Sequence, residues 1–261
     1  MCSTRDMAEP ASTALPAVLV TGGARRIGAA ICRRFAAAGW HVVVHCRHSR
    51  DAAEALAAAL PSAQVVAGDL AVAGVPEALC GELAARLRDW RALVNSAALF
   101  GEAADDDAAI DLYRTNALAP LTLAEAFLRH ARAPDGRRVI QLTDQKIANP
   151  NPDFPHYTMT KHALAATVPL LQMAAGPADR IFALAPGAIL PSLDQSETEA
   201  ERSHRMNLLG RRTDACEVAE AAWLLATGPL AGGQTLFVDS GQHLLRQPRD
   251  VIFLAREGAA A

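Results

Sequence analysis

Apolar residues along the chain follow two spacings that alternate from one end to the other. Short runs rich in β-branched residues are separated by longer Ala/Leu-rich stretches with helical spacing of apolar positions. The runs that predict strands are Ala17–Gly22, His41–His45, Ala63–Leu70, Ala92–Ala97, Arg138–Thr143, Arg180–Gly187 and Gln234–Asp239. The stretches that predict helices are Ile27–Gly39, Asp51–Leu60, Pro76–Arg88, Asp106–Asn116, Leu121–Ala131, His156–Ala175 and Ala215–Thr227. This alternation predicts an α/β fold, a doubly wound and mostly parallel sheet with helices on both faces.

The same pattern indicates one domain over residues 1–261, because no repeat and no Pro/Gly/Ser-rich linker divides the chain. Residues 1–15 are expected to form a flexible arm, and residues 242–261 a C-terminal extension beyond the last strand. Within the extension, Val251–Ala255 is apolar enough to pack against another surface, for which a neighbouring subunit's site is one candidate. The polar segment Leu193–Arg212 interrupts the pattern.

Composition narrows the class of protein. The net charge of −3 gives no reason to expect nucleic acid or an anionic membrane as a partner. No apolar run reaches the roughly 18 residues that span a bilayer, and the first residues lack the apolar core of a secretory signal. The five cysteines are scattered without C-x-x-C spacing, which disfavours a disulfide framework or a metal site. A soluble, cytoplasmic protein is therefore expected.

Candidate chemistry lies at the predicted strand ends. Ligands of doubly wound sheets bind beyond the carboxyl ends of the strands. The polar residues and glycines found at or just past those ends are Gly22, His45, Asp69, Asn95, Asp144 and Gly187. Their common placement predicts one site at that edge of the sheet.

The turn between the first strand and the first helix reads "TGGARRIG", Thr21–Gly28. Its glycines allow close approach of a pyrophosphate, and the following helix offers free N–H groups and the positive end of its dipole. Arg25 and Arg26 add cationic side chains beside an anionic ligand. The alternative is an ordinary glycine-rich turn without a ligand.

The end of the second strand indicates which dinucleotide would bind. NAD-binding chains usually carry Asp or Glu there to hold the ribose 2′-hydroxyl, whereas this chain reads "HCRHSRD". Cations and a hydroxyl suit a 2′-phosphate, so NADPH is the expected cofactor; the alternative is a solvated basic turn. Asp51 is expected to cap or open the next helix. The residues expected to offer these groups are His45, Arg47, His48, Ser49 and Arg50.

Tyr157 and Lys161 stand four residues apart near the start of a predicted helix, which places both side chains on one face. A tyrosine has an ordinary pKa of about 10, and a nearby ammonium lowers it. The two residues could therefore form an acid–base pair, and Lys161 could hold the nicotinamide ribose. A surface pair without function is the alternative. Asp144 precedes the tyrosine by thirteen residues.

Together these motifs resemble the short-chain dehydrogenase/reductase family, and the resemblance spans about Ala17–Gly241. Its glycine turn, T-G-x-x-x-G-x-G, matches except that Arg26 replaces the middle glycine, and "NSAA" stands where N-N-A-G is usual. The resemblance implies a Rossmann fold, and it implies that Asn116 is a fourth catalytic residue whose backbone holds a proton-relay water. It further implies a mobile lid at Leu193–Arg212, which is compatible with the alternative of a plain surface helix. It also implies pairing of subunits into dimers or tetramers through the apolar stripe of the helix after Tyr157, although a face buried within the chain would look the same. Cofactor contacts are implied for Gly22, Arg25, Arg26, Ile27, Gly28, Asp69, Leu70, Asn95, Ser96, Ala97, Tyr157, Lys161, Pro186 and Gly187.

Asp144 departs from most of this family, which carries serine at that position to hydrogen-bond a substrate carbonyl. Thr143 is one residue early, and strand alternation would aim it at the opposite face. An acid there suits reduction of a cyclic C=N bond, because a carboxyl group can hold a ring N–H or relay a proton to nitrogen. Asp144, the "RRIG" turn and the basic second strand end together look like pteridine reductases and bacterial dihydromonapterin reductases.

That likeness implies NADPH-dependent reduction of a dihydropterin to its tetrahydro form. Tyr157 and Asp144 would handle the proton, and Lys161 would tune Tyr157. Phe100 matches an aromatic that stacks on the pterin, although a plain core or rim aromatic would look the same, and Ala98 stands where some pteridine reductases carry a hydroxyl. Two other functions stay open: a carbonyl or alcohol oxidoreductase of the same fold, and a non-catalytic NADPH-binding regulator.

Overall fold

The computed structural model describes residues 15–192 and 194–257, which form one seven-stranded parallel sheet with helices on both faces. The predicted fold class is confirmed. The strands lie in the order β3-β2-β1-β4-β5-β6-β7. Their bounds are β1 Ala17–Thr21, β2 His41–Cys46, β3 Ala63–Ala67, β4 Trp90–Asn95, β5 Arg138–Leu142, β6 Arg180–Pro186 and β7 Thr235–Val238. Residues 1–14 of the expected arm and 258–261 of the expected extension lie outside the described residues.

Helices follow the strands at nearly the predicted places. The α-helices of the described residues are α1 Arg26–Ala37, α2 Arg50–Ala58, α3 Val75–Arg86, α4 Asp106–Tyr113, α5 Ala119–His130, α6 Pro155–Ala174, α7 Glu197–Ser203, α8 Ala215–Thr227 and α9 Val251–Glu257. One difference is that α4 and α5 are joined by a π-helical turn, Arg114–Leu118, so the chain stays helical where a break was expected. Another is α9, which forms within the apolar stretch of the C-terminal extension.

Two apolar layers hold the helices against the sheet, because successive strand residues point to opposite faces. On one face, Val18 and Val20 of β1 pack with Phe35 of α1 and with α8. On the other face, Leu19 packs with Phe127 of α5 and with α3 and α6. Strands covered on both faces read as continuous apolar runs, as "AVLV" does at the start of β1.

The apolar stripe of helix α6 was open to two interpretations, a surface that pairs subunits and a face buried within the chain. Leu164, Val168 and Leu171 are buried within the chain, whereas Leu170 and Met173 are 60% and 78% exposed. The stripe thus serves the core on one side of the helix and leaves large apolar side chains on the other. Pairing of subunits through this outer side stays a prediction.

The crevice for a ligand arises where the strand order reverses. β3 lies at one edge of the sheet, and the chain then crosses to β4, which lies on the other side of β1. The helices that follow the neighbouring strands β1 and β4 therefore lie on opposite faces of the sheet. The two strand ends lie very close together, since a Cβ added to Gly22 would stand 2.9 Å from the Cα of Ala97. This approach explains the need for small residues at both positions. No helix in the described part of the chain is long and apolar enough to cross a membrane.

Candidate active site

A cavity of about 680 Å³ opens above the carboxyl ends of the strands. Nearly all of the predicted site residues contribute to its wall. Those that do are Gly22, Arg25, Arg26, Ile27, Gly28, His45, Arg47, His48, Ser49, Asp69, Leu70, Ser96, Ala97, Phe100, Asp144, Tyr157, Lys161, Pro186 and Gly187. Asn95 and Asn116 were also predicted, but both are buried and neither lines the cavity.

The glycine turn is tightly constrained at the start of α1. Gly22 has a φ of +62°, and a Cβ on Gly28 would stand 2.3 Å from the carbonyl oxygen of Gly22. Arg26 also lies in the left-handed region, with a φ of +53°, a conformation that a glycine would adopt more easily. Such a conformation costs about 1–3 kcal/mol for a residue with a Cβ. The Arg26 guanidinium donates to the carbonyl oxygen of Pro191 at 2.9 Å, bridging the mouth of the cavity.

His45 does not supply a cation to the cavity, which corrects the expectation from the sequence. Its ring is buried and braces the backbone of two neighbouring segments. Nδ1 accepts from the N–H of Gly22 at 3.3 Å, and Nε2 lies 3.1 Å from the carbonyl oxygen of Gly68. Burial lowers the pKa of His45, so the imidazole is neutral.

The basic groups that do face the cavity follow His45. Arg47 and His48 lie on the cavity wall together with Ser49. Arg47 Nη1 lies 3.8 Å from Asp69 Oδ2, a loose exposed pair that leaves the guanidinium free to take another anion. Arg50 was also expected to offer a cation, but it does not line the cavity, and its Nε pairs with Glu54 at 2.8 Å along α2.

The side chain of Asn95 has a structural role. Its Nδ2 donates to the carbonyl oxygen of Pro120 at 3.1 Å and to Gln141 Oε1 at 2.9 Å, which ties β4 to β5 and α5. Asn95 does not line the cavity, and its expected contact with the cofactor stays a prediction. The hydroxyl of Thr21 accepts from the N–H groups of Ser96 and Ala97, both at 3.0 Å, and so holds the next two residues at the cavity wall.

Tyr157 and Asp144 form the chemical centre of the cavity. The Tyr157 hydroxyl donates to Asp144 Oδ2 at 2.8 Å. The other oxygen, Oδ1, accepts from the N–H of Lys146 at 2.9 Å at the start of a short 3₁₀ turn. Tyr157 is only 7% exposed. Asp144 thus points into the same cavity as the tyrosine, as the sequence predicts.

The protonation of this pair differs from the expectation. Removal from water raises the pKa of Asp144, against the hydrogen bonds from Lys146 and Tyr157 that lower it. Burial and then the Asp144 carboxylate raise the pKa of Tyr157 well above its ordinary value. Lys161 lies on the same helix face, with its Nζ 5.6 Å from the Tyr157 ring centroid, and burial lowers its own pKa to about 8. The expected lowering of the pKa of Tyr157 beside Lys161 is therefore wrong, because burial and the Asp144 carboxylate raise that pKa instead.

Lys161 and Thr143 are each held by a backbone carbonyl. Lys161 Nζ donates to the carbonyl oxygen of Leu142 at 2.8 Å, which fixes the ammonium beneath the cavity. The Thr143 hydroxyl donates to the carbonyl oxygen of Leu184 at 3.2 Å. A threonine committed to β6 in this way cannot replace the serine usual one position later.

Asn116 supports the cavity from the π-helical turn. Its Oδ1 accepts from the N–H of Leu99 at 2.7 Å, and its Nδ2 donates to the carbonyl oxygen of Leu99 and to Thr160 Oγ1. Pro120 follows four residues later and has no N–H for the Asn116 carbonyl, which explains the local widening to a π-turn. The Asn116 side chain therefore braces the loop behind Phe100, and the role of its backbone in holding a water stays a prediction.

Phe100 lies at the edge of the cavity, half-buried among aromatic rings. Its ring centroid is 4.9 Å from that of Tyr157 in an edge-on arrangement and 4.8 Å from that of Phe154. The ring lines the cavity and also packs against other rings, an arrangement with which both predicted alternatives are compatible. Stacking on a substrate stays a prediction.

Several cavity residues were not found by sequence reasoning. Lys146, Asp250 and Ile252 line the wall next to Asp144 and Tyr157. The signal for Ile252 was the apolar stretch of the extension, which packs in this structure against the chain's own Tyr157 and Phe154. Nothing in the sequence pairs Lys146 with Asp250, because a contact between distant residues has no local pattern. The expected lid contributes Gln195, Ser203 and His204.

Comparisons with known proteins agree on the fold and find both dehydrogenases and reductases among the similar proteins. The family model described as short chain dehydrogenase matches residues 16–202. FolM alternative dihydrofolate reductase 1 from Brucella suis, solved in complex with NADP, is similar with a TM-score of 0.83 and 33% identity, covering 89% of this chain and 96% of that one. A granaticin polyketide synthase protein of Streptomyces violaceoruber, named as ketoacyl reductase 2, is 29% identical over 88% of this chain and 97% of its own. Pteridine reductase 1 of Leishmania tarentolae is 27% identical over 90% of this chain and 99% of its own.

Proposed function

Since the chain belongs to the short-chain dehydrogenase/reductase family and is an oxidoreductase of that family, we propose that it uses NADPH to reduce the C=N bond of a dihydropterin to the tetrahydro form. The observation that carries this proposal is the hydrogen bond from Tyr157 to Asp144 at 2.8 Å inside the cavity. A carboxyl group beside the phenol can hold a ring N–H or pass a proton to nitrogen, which a serine hydroxyl does less well. The likeness to an alternative dihydrofolate reductase and to a pteridine reductase supports the same substrate class.

The residues present fit NADPH. The N-terminus of α1, with Arg25 and Arg26, offers hydrogen-bond donors to a pyrophosphate. Any side chain at Gly28 would collide with the turn at Gly22. The end of β2 carries Arg47, His48 and Ser49 on the cavity wall, groups that suit a 2′-phosphate. The cofactor is NADPH, consistent with the NADP in the similar Brucella suis structure.

The chain's own residues would orient the substrate and supply the proton. NADPH, when bound, supplies the hydride that is added to carbon. The Tyr157 hydroxyl keeps its proton at neutral pH because its pKa is raised, so it can donate to the substrate nitrogen. Asp144 accepts from that hydroxyl and, with its raised pKa, can hold a proton itself and return it to Tyr157. Lys161 places a positive charge beneath the pair.

Replacing Arg47 with alanine is expected to lower the preference for NADPH over NADH by about tenfold, because a charged hydrogen bond to the 2′-phosphate is lost. The measurement is kcat/KM for each dinucleotide with one substrate. Arg50→Ala is the matched control, since Arg50 pairs with Glu54 away from the cavity and should leave the ratio unchanged. Equal ratios for both variants and the unmodified enzyme would contradict the role of Arg47.

The substrate class is tested by following NADPH absorbance with dihydromonapterin, dihydrobiopterin, dihydrofolate and a panel of ketones. Turnover of the dihydropterins is expected, with the ketones slower by at least about tenfold, since only the pterin ring offers an N–H and imine nitrogen to Asp144. Turnover of ketones alone would overturn the proposal and favour the second candidate.

The second candidate is an NADPH-dependent carbonyl or alcohol oxidoreductase of the same fold. It is favoured by the Tyr157 and Lys161 pair, which suffices for ketone reduction, and by the similar protein named as a ketoacyl reductase. Tight NADPH binding without oxidation by any compound in the panel would instead indicate a non-catalytic NADPH-binding regulator.

A further inference from the structure

The C-terminal helix α9 forms part of the cavity wall. Val251 and Ile252 at its first turn line the cavity. Ile252 is 8% exposed and lies in one apolar cluster with Phe154 and Tyr157, against which Phe100 also packs. The side chain of Ile252 therefore belongs to the same apolar part of the cavity wall as the Tyr157 ring and the aromatic edge of the cavity.

A buried ion pair fixes the start of this helix. Lys146 Nζ lies 2.9 Å from Asp250 Oδ2, and Lys146 is 3% exposed. The remaining donors of the ammonium go to Asn151 Oδ1 at 2.9 Å and to the carbonyl oxygen of Asp153 at 3.2 Å. Asp250 Oδ1 accepts from the N–H of Ile252 at 3.0 Å. An ion pair this well hydrogen-bonded has little freedom to rearrange, so it sets the position of Ile252 relative to Asp144.

Two further contacts hold α9 against the rest of the site. Before the helix, Arg249 Nε lies 2.9 Å from Asp153 Oδ2, on the loop that follows the catalytic carboxylate. Near its end, Arg256 Nε lies 3.0 Å from Glu199 Oε1 of α7. These contacts tie the start of the helix to the loop after Asp144 and its end to the segment expected to act as a lid.

We infer that Ile252 is a specificity-determining residue, which limits the size of the substituent that a substrate can carry past Tyr157 and Phe100. This deepens the proposed function and rests on it for the identity of the substrate. Ile252 presents only apolar atoms and is held by a helix fastened at both ends, so it excludes bulk without offering a polar contact. Lys146 and Asp250 are positioning residues, because they hold the start of α9 and thereby place Ile252.

The test compares two dihydropterins, dihydrobiopterin with a small substituent and dihydrofolate with a bulky one. In Ile252→Ala the ratio of kcat/KM for dihydrofolate to that for dihydrobiopterin should rise about tenfold, as expected for a few methylene groups removed from an apolar wall. In Ile252→Phe the ratio should fall. The dissociation constant for NADPH, measured by fluorescence titration, should stay unchanged in both variants and shows that each is folded.

Leu254→Ala is the matched control, because Leu254 is a half-buried residue of the same helix that does not line the cavity. An unchanged ratio in both Ile252 variants, or an equal shift in Leu254→Ala, would overturn the inference. If the unmodified enzyme reduces ketones and no pterin, the proposed function fails, and the same variants are compared with a compact and a bulky ketone. A shift toward the bulky ketone in Ile252→Ala then supports the role of Ile252, and no shift overturns it.

Discussion

Serine in place of Asp144 is expected to lower kcat for a dihydropterin by about a hundredfold or more, the usual contribution of a positioned acid–base group. The carboxyl group accepts a hydrogen bond from the Tyr157 hydroxyl at 2.8 Å and has a raised pKa, so it can carry the proton that nitrogen needs. A serine hydroxyl can neither take up nor release a proton in this way at neutral pH. Steady-state kinetics give kcat, and fluorescence titration gives the dissociation constant for NADPH, which should change by less than about threefold.

Asp105→Ser provides a matched control for this substitution. Like Asp144, Asp105 caps a helical turn through its side chain, accepting from the N–H of Ala108 at 2.8 Å, but it is exposed and far from the cavity wall. Serine is a good capping residue, so the cap should survive in both variants. An Asp144→Ser enzyme with unchanged kcat on a pterin would remove the proposed role of the carboxyl group. An equal loss on a ketone would indicate general damage instead.

Phenylalanine in place of Tyr157 is expected to lower kcat by about a hundredfold to ten-thousandfold on every substrate. The substitution removes the donor hydroxyl and leaves the Asp144 carboxylate without that partner, while the ring that packs with Phe154 and Ile252 remains. Because the wall is preserved, KM for NADPH should be nearly unchanged. Steady-state rates with the best substrate of the panel measure the effect.

Tyr113→Phe is the control for the tyrosine variant, since Tyr113 is the other tyrosine of the chain and is 50% exposed on α4. A Tyr157→Phe enzyme within about fivefold of the unmodified rate would assign proton donation elsewhere. The double variant with Asp144→Ser distinguishes a joint role from separate ones. Because the two groups share one hydrogen bond, the double variant should lose little more than the worse single variant.

The alternating pattern of the sequence was sufficient to predict the strands of the sheet and most of the helices around it. Strand and helix periods are local properties, so they can be found without knowing which strands pair. The bounds differ mainly at the ends, as in β6, which ends at Pro186 where the sequence predicted Gly187. The region around Asn116 was misjudged because Pro120 opens a π-turn there and does not stop the helix. The missing N–H of Pro120 is visible in the sequence. Whether the helix then ends or widens into a π-turn depends on how both flanking helices pack.

Site residues were predicted less evenly than the fold. Motif spacing placed Asp144, Tyr157 and Lys161 around one cavity, because residues near a strand end and on one helix face stay close in any such sheet. Motif spacing could not show that His45 and Arg47 have different roles. Both line the cavity at the end of β2, but the buried ring of His45 braces Gly22, whereas the Arg47 guanidinium is partly exposed and free to take an anion.

What the sequence by itself determined is the parallel α/β sheet, the glycine turn at its switch point, and an acid placed to share a cavity with a tyrosine. These follow from local periods and from short spacings, which act within one element or across one turn. Only the tertiary structure decided that burial raises the pKa of Tyr157 despite Lys161, and that Lys146 pairs with Asp250 to seat α9 over the cavity. Desolvation and contacts across about a hundred residues depend on the whole folded chain, since they exist only once distant segments have packed together.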